Sequence, residues 1–432
     1  MKDNFNGQKQ NLWRERAICL LFGCFLLLLL ELAVRLVYSP HYQKDQIGYI
    51  LQILEQDPVL FWRQKANLDV VFHDAEIKTN SSGFRSREIS RKKDKNSFRI
   101  VCLGASPTLG WGVNSEDIYS YQLEKLLREK YGADKIEVIN AAGIGYSSHQ
   151  GLNLLKNEIL KLSPDLITVS YVINDVDKHR FYRSDGRADK ELKPRPAMLV
   201  VLENFLDKSV FYNFLKQRIF ESRGSSVRYF GNQGYSEKRR VSSEDYKKNL
   251  SAIIDTAHQN NIEVVLVKMP VNLPVKEEVA GPLQAKAEEG IARAIAYARG
   301  DKWDEAAAEL KKALEYNPYS SKAFYYLGVY SQRHGKSDEA QNYFQKAKER
   351  ELFQCGRLGK VYNEIMQQVA GERNIPLVDI VAAFDAFNRE SGGYLFLDPD
   401  GDTIHPNATG HRIIGREIYN ALVQKHLLKK LQ

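Results

Sequence analysis

Five short apolar runs alternate with helix-like segments after residue 95, and this alternation restricts the fold more than any other feature of the chain. Each run is rich in Val, Ile and Leu at successive positions, as expected of strands that are buried on both faces. Strands of this kind form parallel sheets that helices cover. The predicted strands are Phe98–Gly104, Lys135–Ala141, Asp165–Val172, Ile262–Pro270 and Ile375–Ile380.

Apolar residues at helical spacing follow or separate these runs, which predicts a doubly wound, flavodoxin-like α/β/α fold of three layers around a parallel sheet. In such a fold the carboxyl ends of the strands share one edge, where ligands and catalytic groups lie. The predicted helices are Ile118–Lys130, His149–Leu162, Glu244–Gln259, Lys360–Arg373 and Gly410–Leu428.

Two regions beside this core have weaker patterns. A turn-rich, partly apolar N-terminal extension, residues 39–94, is expected to pack on the α/β domain. Ala197–Ile219 has an amphipathic helical pattern. The polar and basic segment Glu221–Arg240 is predicted to be a mobile surface loop without a binding role.

A continuous apolar stretch at residues 17–38 predicts a helix that spans a membrane. It contains two charges, Glu31 and Arg35, and as a helix it would rise about 33 Å, the thickness of one hydrocarbon core. Four basic residues precede it, so the positive-inside rule places residues 1–16 in the cytoplasm. We therefore expect a single-pass protein whose bulk is extracytoplasmic, on the periplasmic or cell-surface side.

A cleaved signal peptide and a lipoprotein are the alternatives to this anchor. No small-x-small cleavage site follows the apolar run, and Ala33-Val-Arg35 is a poor one. Leu21-Phe-Gly-Cys24 has phenylalanine where a lipoprotein signal usually has a small residue. We therefore expect the stretch to remain uncleaved.

The composition of the chain excludes several other classes. Apolar residues make up 43% and charged residues 27%, which indicates a folded protein. The net charge of +8 is spread through mixed-sign segments without a basic, aromatic stripe, so nucleic acid is not an expected partner. Two of the four cysteines lie in the apolar stretch, and no Cys/His spacing resembles a zinc site. Neither a disulfide scaffold nor a metal or cofactor is predicted.

About a hundred residues separate the fourth and fifth strands, far more than a loop of this fold needs, so they are expected to form a domain. Asp304-Glu-Ala306 recurs as Asp338-Glu-Ala340, and Ala313 recurs as Ala347, at an offset of 34 residues. This period resembles tetratricopeptide repeats, and two repeats cover Ala287–Arg350. The resemblance implies either a docking platform for a protein partner or a pair of packed helical hairpins.

Two motifs carry hydroxyl, imidazole and carboxylate groups. Ser106 follows the first strand in Gly104-Ala-Ser-Pro-Thr-Leu-Gly-Trp-Gly112, where its hydroxyl and backbone N–H can face a cleft. Asp402-Thr-Ile-His405 precedes the last helix, a spacing that lets a carboxylate orient an imidazole base. Asp255-Thr-Ala-His258 has the same spacing but falls inside a helical pattern, where we expect surface or packing residues.

Two further motifs end predicted strands. Asn140-Ala-Ala-Gly-Ile-Gly145 follows the second strand, and Tyr171-Val-Ile-Asn174-Asp175 follows the third. Glycine lets backbone approach a substrate closely, and an asparagine amide can donate a hydrogen bond to an oxyanion. With Ser106 and the Asp402–His405 motif, the chain therefore presents four signals in the order Ser, Gly, Asn, Asp/His.

This set resembles the SGNH/GDSL hydrolase family, over about Lys95–Pro274 and Leu358–Gln432. The resemblance implies that Ser106 is the nucleophile, His405 the base and Asp402 its orienting partner. It also implies an oxyanion hole formed by the Ser106 N–H, Gly145 and Asn174, with Gly143 a less favoured substitute for Gly145. An anchor followed by an N-S-x-G-F-R segment, here ending at Arg85, is similar to membrane-anchored members.

Two positions depart from the family pattern. Ala105 replaces an aspartate that supports the serine loop, and Val172 stands where the third block usually has glycine. A small apolar residue can replace a buried carboxylate without loss when the partners of that carboxylate have changed too. We therefore expect an active enzyme, with a degenerate hydrolase fold kept as a scaffold for the repeats as the alternative.

The resulting hypothesis is an anchored extracytoplasmic serine esterase that acts on acyl esters. An O-acyltransferase that modifies a cell-envelope polysaccharide would use the same residues, so the sequence leaves that function open. The predicted organisation is a cytoplasmic tail (1–16), an anchor (17–38), an extension (39–94), a hydrolase-like domain in two parts (95–274 and 358–432) and the helical insertion (275–357).

Overall fold

The computed structural model describes residues 2–37, 53–72, 75–177, 187–215, 239–272, 279, 281–398, 402–428 and 431. These residues form two compact units. The first takes in the described parts of Met1–Arg63 and Pro194–Gly234, and the second those of Gln64–Arg180, Asp185–Lys193 and Tyr235–Gln432. Residues 221–238 of the predicted loop Glu221–Arg240 lie outside the described residues. The same holds for residue 38 of the predicted anchor and for residues 39–52 of the extension.

A parallel sheet forms the centre of the second unit. The described strands are β1 Leu54–Asp57, β2 Phe61–Gln64, β3 Asp69–Phe72, β4 Ala75–Lys78, β5 Phe98–Gly104, β6 Ile136–Asn140, β7 Leu166–Ser170, β8 Glu263–Lys268 and β9 Leu377–Asp379. The five later strands are all parallel and lie in the order β6-β5-β7-β8-β9. This is the flavodoxin-like order, and it confirms the predicted fold class.

Helices cover both faces of this sheet. The helices of the two units include α1 Lys2–Val37, α2 Ser106–Leu109, α3 Tyr119–Tyr131, α4 Ser148–Asn157, α5 Ile173–Val176, α6 Ala197–Leu206, α7 Ser243–Gln259, α8 Pro282–Arg299, α9 Trp303–Tyr316, α10 Ser321–Arg333, α11 Ser337–Glu372, α12 Ile380–Ser391 and α13 Ala408–Gln424. On one face, α3 and α13 pack together and bury Leu123 and Ile418 against Ile100. The other face carries α4 and α7, which contact each other.

Every residue of β5 and of β7 is buried, as the unbroken apolar runs predict. Ile100 of β5 lies opposite Val138 on one side and Leu166 on the other, so β5 is an internal strand. Pairing with a neighbour on each side fixes where its carboxyl end lies in the sheet.

The insertion consists of two helical hairpins, α8 with α9 and α10 with α11. Its own core is built from small and aliphatic residues: Ile291, Ala294, Ala306, Ala307, Leu310, Ala313, Ala323 and Leu327. The last helix is longer than predicted. A helix is expected at Lys360–Arg373, but α11 runs for 36 residues from Ser337 to Glu372, so position 357/358 lies within a helix.

The far half of α11 belongs to the core of the sheet domain. Tyr362, Met366 and Val369 are buried there. The Tyr362 hydroxyl donates to the Val241 carbonyl at 2.7 Å, and the Asn363 amide donates to the Met269 carbonyl at 2.9 Å. One helix therefore joins the second hairpin to the sheet without an intervening loop.

In the first unit, α1 contains a stretch from Trp13 to Val37 that is long and apolar enough to cross a membrane. The two strands β1 and β2 pair with each other. The predicted helix Ala197–Ile219 is interrupted: α6 ends at Leu206, and residues 210–215 form a separate helical segment.

Candidate active site

The candidate site lies at the carboxyl edge of the central sheet. Ser106 is the first residue of α2 and follows the last residue of β5 by two positions. Asn140 ends β6, and Asn174 lies in the short helix α5 after β7. Because the three strands are adjacent and parallel, the residues that the sequence predicts for the site emerge at one edge.

The Ser106 hydroxyl lies against the imidazole of His405. The distance between Oγ and Nε2 is 2.8 Å, although 299 residues separate the two in sequence. The Ser106 side chain is nearly buried, with 9% of its surface exposed. An imidazole nitrogen at hydrogen-bond distance from a serine oxygen can accept the proton of that serine as it attacks.

The carboxylate of Asp402 contacts the other nitrogen of the same ring. Nδ1 of His405 lies 2.7 Å from Oδ2 and 2.9 Å from Oδ1. A carboxylate accepts a hydrogen bond, so Nδ1 carries the proton and Nε2 presents its lone pair to Ser106. This tautomer is the one that a general base for the serine requires.

The D-x-x-H spacing has a local structural reason. Oδ1 of Asp402 accepts hydrogen bonds from the backbone N–H groups of Ile404 and His405, at 3.2 and 3.1 Å. The carboxylate thus folds back over its own turn and meets the ring three residues later. Burial acts to raise the pKa of Asp402, but the hydrogen bonds from His405 and Ile404 outweigh it, so the pKa lies below its ordinary value.

Backbone hydrogen bonds on both sides of His405 hold the turn that carries it. The N–H of Leu397 donates to the His405 carbonyl at 2.9 Å, next to a bridge between Phe396 and Pro406. Asn407 caps α13 by accepting from Gly410 N–H at 3.0 Å. The imidazole is therefore placed by backbone contacts that do not depend on the serine.

The ring of Trp111 packs on the imidazole of His405. The two rings are stacked, with centroids 5.6 Å apart and planes inclined by 27°. An aromatic face can stabilise a cation on a neighbouring ring. No sequence motif predicts this contact, and its only signal is the tryptophan in the loop after the serine.

Two backbone N–H groups near the serine have no protein acceptor among the described residues: those of Ser106 and Gly145. The Ser106 N–H is free because it belongs to the first turn of α2. Gly145 has a φ of +70°, a left-handed conformation that glycine adopts without a steric penalty. Free donors of this kind are what an oxyanion hole requires.

Asn174 keeps an N–H that can donate a hydrogen bond to an oxyanion, whereas Gly143 does not. The Asn174 amide donates one hydrogen to the Tyr146 carbonyl at 3.1 Å, and its second hydrogen is available because an amide nitrogen carries two. The Gly143 N–H already donates to the Gly104 carbonyl at 3.1 Å. A Cβ at Gly143 would also lie 2.2 Å from the Tyr146 ring, so this glycine makes room for packing. The geometry favours Gly145 over Gly143 as an oxyanion donor.

A buried ion pair holds the carbonyl of Gly145. Arg240 is 1% exposed and donates from Nη1 to the Gly145 carbonyl at 2.5 Å. Its Nη2 lies 3.0 Å from Asp189, whose carboxylate also accepts from the Ser147 hydroxyl at 2.7 Å. The prediction that Glu221–Arg240 is a mobile surface loop is therefore wrong for Arg240, because pairing with Asp189 lets the charge be buried.

The loop after Ser106 has partners that compensate for the missing aspartate at Ala105. Arg85, which ends the N-S-x-G-F-R segment, donates to the carbonyls of Gly110 and Val113 at 2.5 and 2.7 Å. Asn140 donates to the Thr108 carbonyl at 2.9 Å. The loop is thus held by a guanidinium and an amide, and Ala105 is packed at 2% exposure.

Val172 is also accommodated. Its φ of −157° is negative, so the position does not need the left-handed conformation that favours glycine. Its side chain is 6% exposed. The carbonyl of Val172 accepts from the N–H groups of Asp175 and Val176, which starts α5 and places Asn174 at the edge of the sheet.

Asp175 beside Asn174 is a buried carboxyl group whose protonation should affect stability. Burial raises its pKa to about 7, against hydrogen bonds from Ser148 that act to lower it. Between pH 4 and 7 the folded chain then holds a proton that the unfolded chain has lost, so this group's contribution to stability falls as pH rises.

We expect Asp175→Asn to remove that dependence. Relative to the unmodified protein, the free energy of unfolding of the variant should rise by on the order of 3 kcal/mol between pH 4 and 7. Urea unfolding of both proteins at several pH values measures the difference. Parallel pH profiles would contradict the raised pKa.

The second D-x-x-H motif behaves as the sequence analysis predicts. Asp255 and His258 both lie in α7 and are exposed. Asp255 forms an ion pair with Arg373 on the surface. Among the described residues, no group of three or more His, Cys, Asp or Glu side chains is placed to hold a metal ion.

Comparison with known proteins finds a tetratricopeptide repeat family profile at residues 309–342. A search of the curated proteins finds no match to the chain. Similar solved structures include an acetyl xylan esterase, AlAXEase (14% identity, 75% of this chain and 100% of that chain, TM-score 0.37). Others are a lipase/acylhydrolase from Enterococcus faecalis (15%, 76% and 96%, 0.35) and a catalytic mutant of an acetylxylan esterase from Geobacillus stearothermophilus (13%, 77% and 96%, 0.38).

These solved structures share little sequence with the chain and have TM-scores below 0.5, so the comparison assigns no chemistry to it. The contacts of Ser106, His405 and Asp402 are properties of the chain itself, and they carry the functional conclusion.

Proposed function

We propose that this chain is a membrane-anchored serine esterase of the SGNH/GDSL hydrolase type that cleaves extracytoplasmic acyl esters. The observation that carries the proposal is the continuous hydrogen-bonded series from the Ser106 hydroxyl through His405 to the Asp402 carboxylate. It lies at the carboxyl edge of the sheet, beside two N–H groups without a protein acceptor among the described residues.

In the first half of the reaction, Ser106 Oγ attacks the ester carbonyl carbon while Nε2 of His405 takes the hydroxyl proton. The carbonyl oxygen becomes an oxyanion that accepts hydrogen bonds from the N–H groups of Ser106 and Gly145 and from the Asn174 amide. The C–O bond to the alcohol then breaks, and the imidazolium returns its proton to that oxygen. The acyl group stays on Ser106.

In the second half, a water molecule takes the place of the alcohol. Nε2 of His405 accepts a proton from the water as its oxygen attacks the acyl carbon, and the same oxyanion donors hold the intermediate. Collapse of the intermediate releases the carboxylic acid and returns the proton to Ser106 Oγ. The Asp402 carboxylate stabilises the imidazolium in both halves, which its lowered pKa supports because the group stays ionised.

The anchoring part of the proposal is supported by α1. The stretch from Trp13 to Val37 is 25 residues long, and its large apolar side chains are exposed. Basic residues before the apolar run that begins at Ala17 favour a cytoplasmic N-terminus, which directs the rest of the chain across the membrane. The tetratricopeptide hairpins add a surface for a protein partner in the same compartment.

Labelling with a fluorophosphonate tests this function without knowledge of the natural ester. Reaction on the full-length protein, mapped by mass spectrometry, is expected on Ser106 and is expected to be lost in His405→Ala. His258→Ala is the matched control and should label normally, because His258 is exposed on α7. Labelling that is unaffected by His405→Ala, or that maps to another residue, would contradict the proposal.

A further inference from the structure

The helix α6 of the first unit exposes its apolar side chains and turns its polar side chains toward the protein, the reverse of an ordinary surface helix. Its polar residues face the protein: the Asn204 amide donates to the Gln56 carbonyl at 2.9 Å and accepts from the Gln56 N–H at 3.0 Å. Glu203 pairs with Arg195. The apolar residues of the opposite face are exposed over half or more of their surface: Met198 (85%), Leu199 (55%), Val201 (68%), Leu202 (52%) and Phe205 (66%).

This arrangement of side chains is not that of a helix whose outer face is in water. A surface helix of a soluble protein turns its apolar stripe toward the core and its polar side chains outward. In α6 only Val200 is buried, while the exposed stripe is continuous along the helix. A contiguous apolar face of this kind marks a contact with a membrane or with another protein.

Residues 209–211, which follow α6, contact α1, and these contacts decide between a membrane and another protein as the partner of the apolar face. The Glu31 carboxylate of α1 accepts hydrogen bonds from the Ser209 hydroxyl at 2.7 Å and from the N–H groups of Val210 and Phe211 at 3.0 and 2.9 Å. These residues begin three positions after the end of α6. The chain that leaves α6 is therefore bound directly to the side of the apolar helix α1.

The position of Glu31 along α1 indicates the depth of this contact in the membrane. Glu31 precedes Val37, the last residue of the apolar stretch, by six residues, which is about 9 Å along a helix. If α1 spans the membrane, residues 209–211 lie at the depth of the lipid headgroups and outer acyl chains. Lys208, which is exposed directly after α6, can then reach the phosphates while the apolar face enters the lipid.

We propose that α6 lies in the outer leaflet of the membrane as a second, interfacial contact, with its exposed face, Met198 to Phe205, among the lipid chains. This inference rests on the proposed anchoring of the chain by α1. It is independent of the esterase chemistry. Its occupant is lipid, because α6 and α1 belong to the same compact unit and Glu31 joins them.

Nitroxide side chains attached to p-acetylphenylalanine test this placement in the full-length protein, since the four native cysteines then need no change. The label is placed at Phe205, at Phe25 of α1 as the lipid reference and at Tyr297 of α8 as the water reference. All three are exposed aromatic positions, so the substitutions are closely matched. The protein is held in nanodiscs of phosphatidylethanolamine and phosphatidylglycerol.

Collision with oxygen reports lipid, and collision with a polar nickel complex reports water. We expect the ratio of oxygen to nickel accessibility at Phe205 to match that at Phe25 and to exceed that at Tyr297 several-fold. A ratio equal to that at Tyr297, with Phe25 in lipid, overturns the inference and leaves the anchor intact. Low accessibility to both reagents indicates a second copy or another protein on α6 and also overturns it. Water at both Phe25 and Phe205 overturns the anchor and this inference together.

Discussion

Replacing Ser106 by alanine is expected to lower the rate of ester hydrolysis by about a million-fold, as removal of the nucleophile does in a serine protease. The reason is that the described residues offer Nε2 of His405 one hydroxyl, at 2.8 Å. With the oxygen absent, no acyl-enzyme forms. Release of p-nitrophenol from an acetyl ester by the full-length protein measures the loss.

The variant is expected to fold normally, so the loss can be assigned to chemistry. The backbone N–H of residue 106 and the short helix α2 do not depend on the hydroxyl. Ser337→Ala, on the exposed start of α11, is the matched control and should keep full activity. Activity of the Ser106→Ala protein within tenfold of the unmodified protein would contradict the assignment of the nucleophile.

Asp402→Asn should lower kcat by about 10⁴-fold at neutral pH, with little change in KM. The amide oxygen can still accept the backbone N–H groups of Ile404 and His405, so the turn is retained. The amide nitrogen then takes the place of Oδ2, which lies 2.7 Å from Nδ1. A donor at that position forces the ring proton onto Nε2, and the base that Ser106 needs is lost.

Steady-state kinetics at pH 7 measures this effect. Asp255→Asn provides the matched control, because Asp255 has the same spacing to a histidine but lies in α7, where it pairs with Arg373. That variant should hydrolyse the ester at the unmodified rate. If Asp402→Asn keeps more than a tenth of kcat, Asp402 does not set the tautomer of His405.

The residues that could be predicted from the sequence are those whose signals are local. Unbroken apolar runs indicate β5 and β7 because a strand buried on both faces needs apolar residues at every position. Ser106 and Asn174 follow from the same runs, since each lies just past the end of a strand. The pairing of Asp402 with His405 is local too, because the carboxylate closes its own turn.

What could not be predicted depends on contacts between distant segments. Arg240 reaches a carbonyl 95 residues earlier in the chain, and nothing in its polar surroundings indicates that it is buried. A buried arginine is recognisable only with its partner, and Asp189 lies 51 residues away. Arg85 is similar: its motif is visible in the sequence, but the carbonyls that it holds in the serine loop are not.

The continuation of α11 through position 357 illustrates a different limit. Helical periodicity is present on both sides of that position, and where no proline or cap interrupts it, a sequence cannot show whether two predicted helices are one. Tertiary packing of Tyr362 and Val369 against the sheet domain decides the matter. The second helices of the two hairpins, by contrast, follow the predicted period: α9 begins at Trp303 and α11 at Ser337, 34 residues later.

The contact between Ser106 and His405 across 299 residues has a consequence for the biosynthesis of the protein. Ser106 is translated first, and His405 follows only after the whole helical insertion. Loops of this length close late in folding. A nascent chain therefore carries Ser106 without its proposed base, and we expect it to stay inert toward esters until the segment with His405 has been translated and has folded onto the sheet.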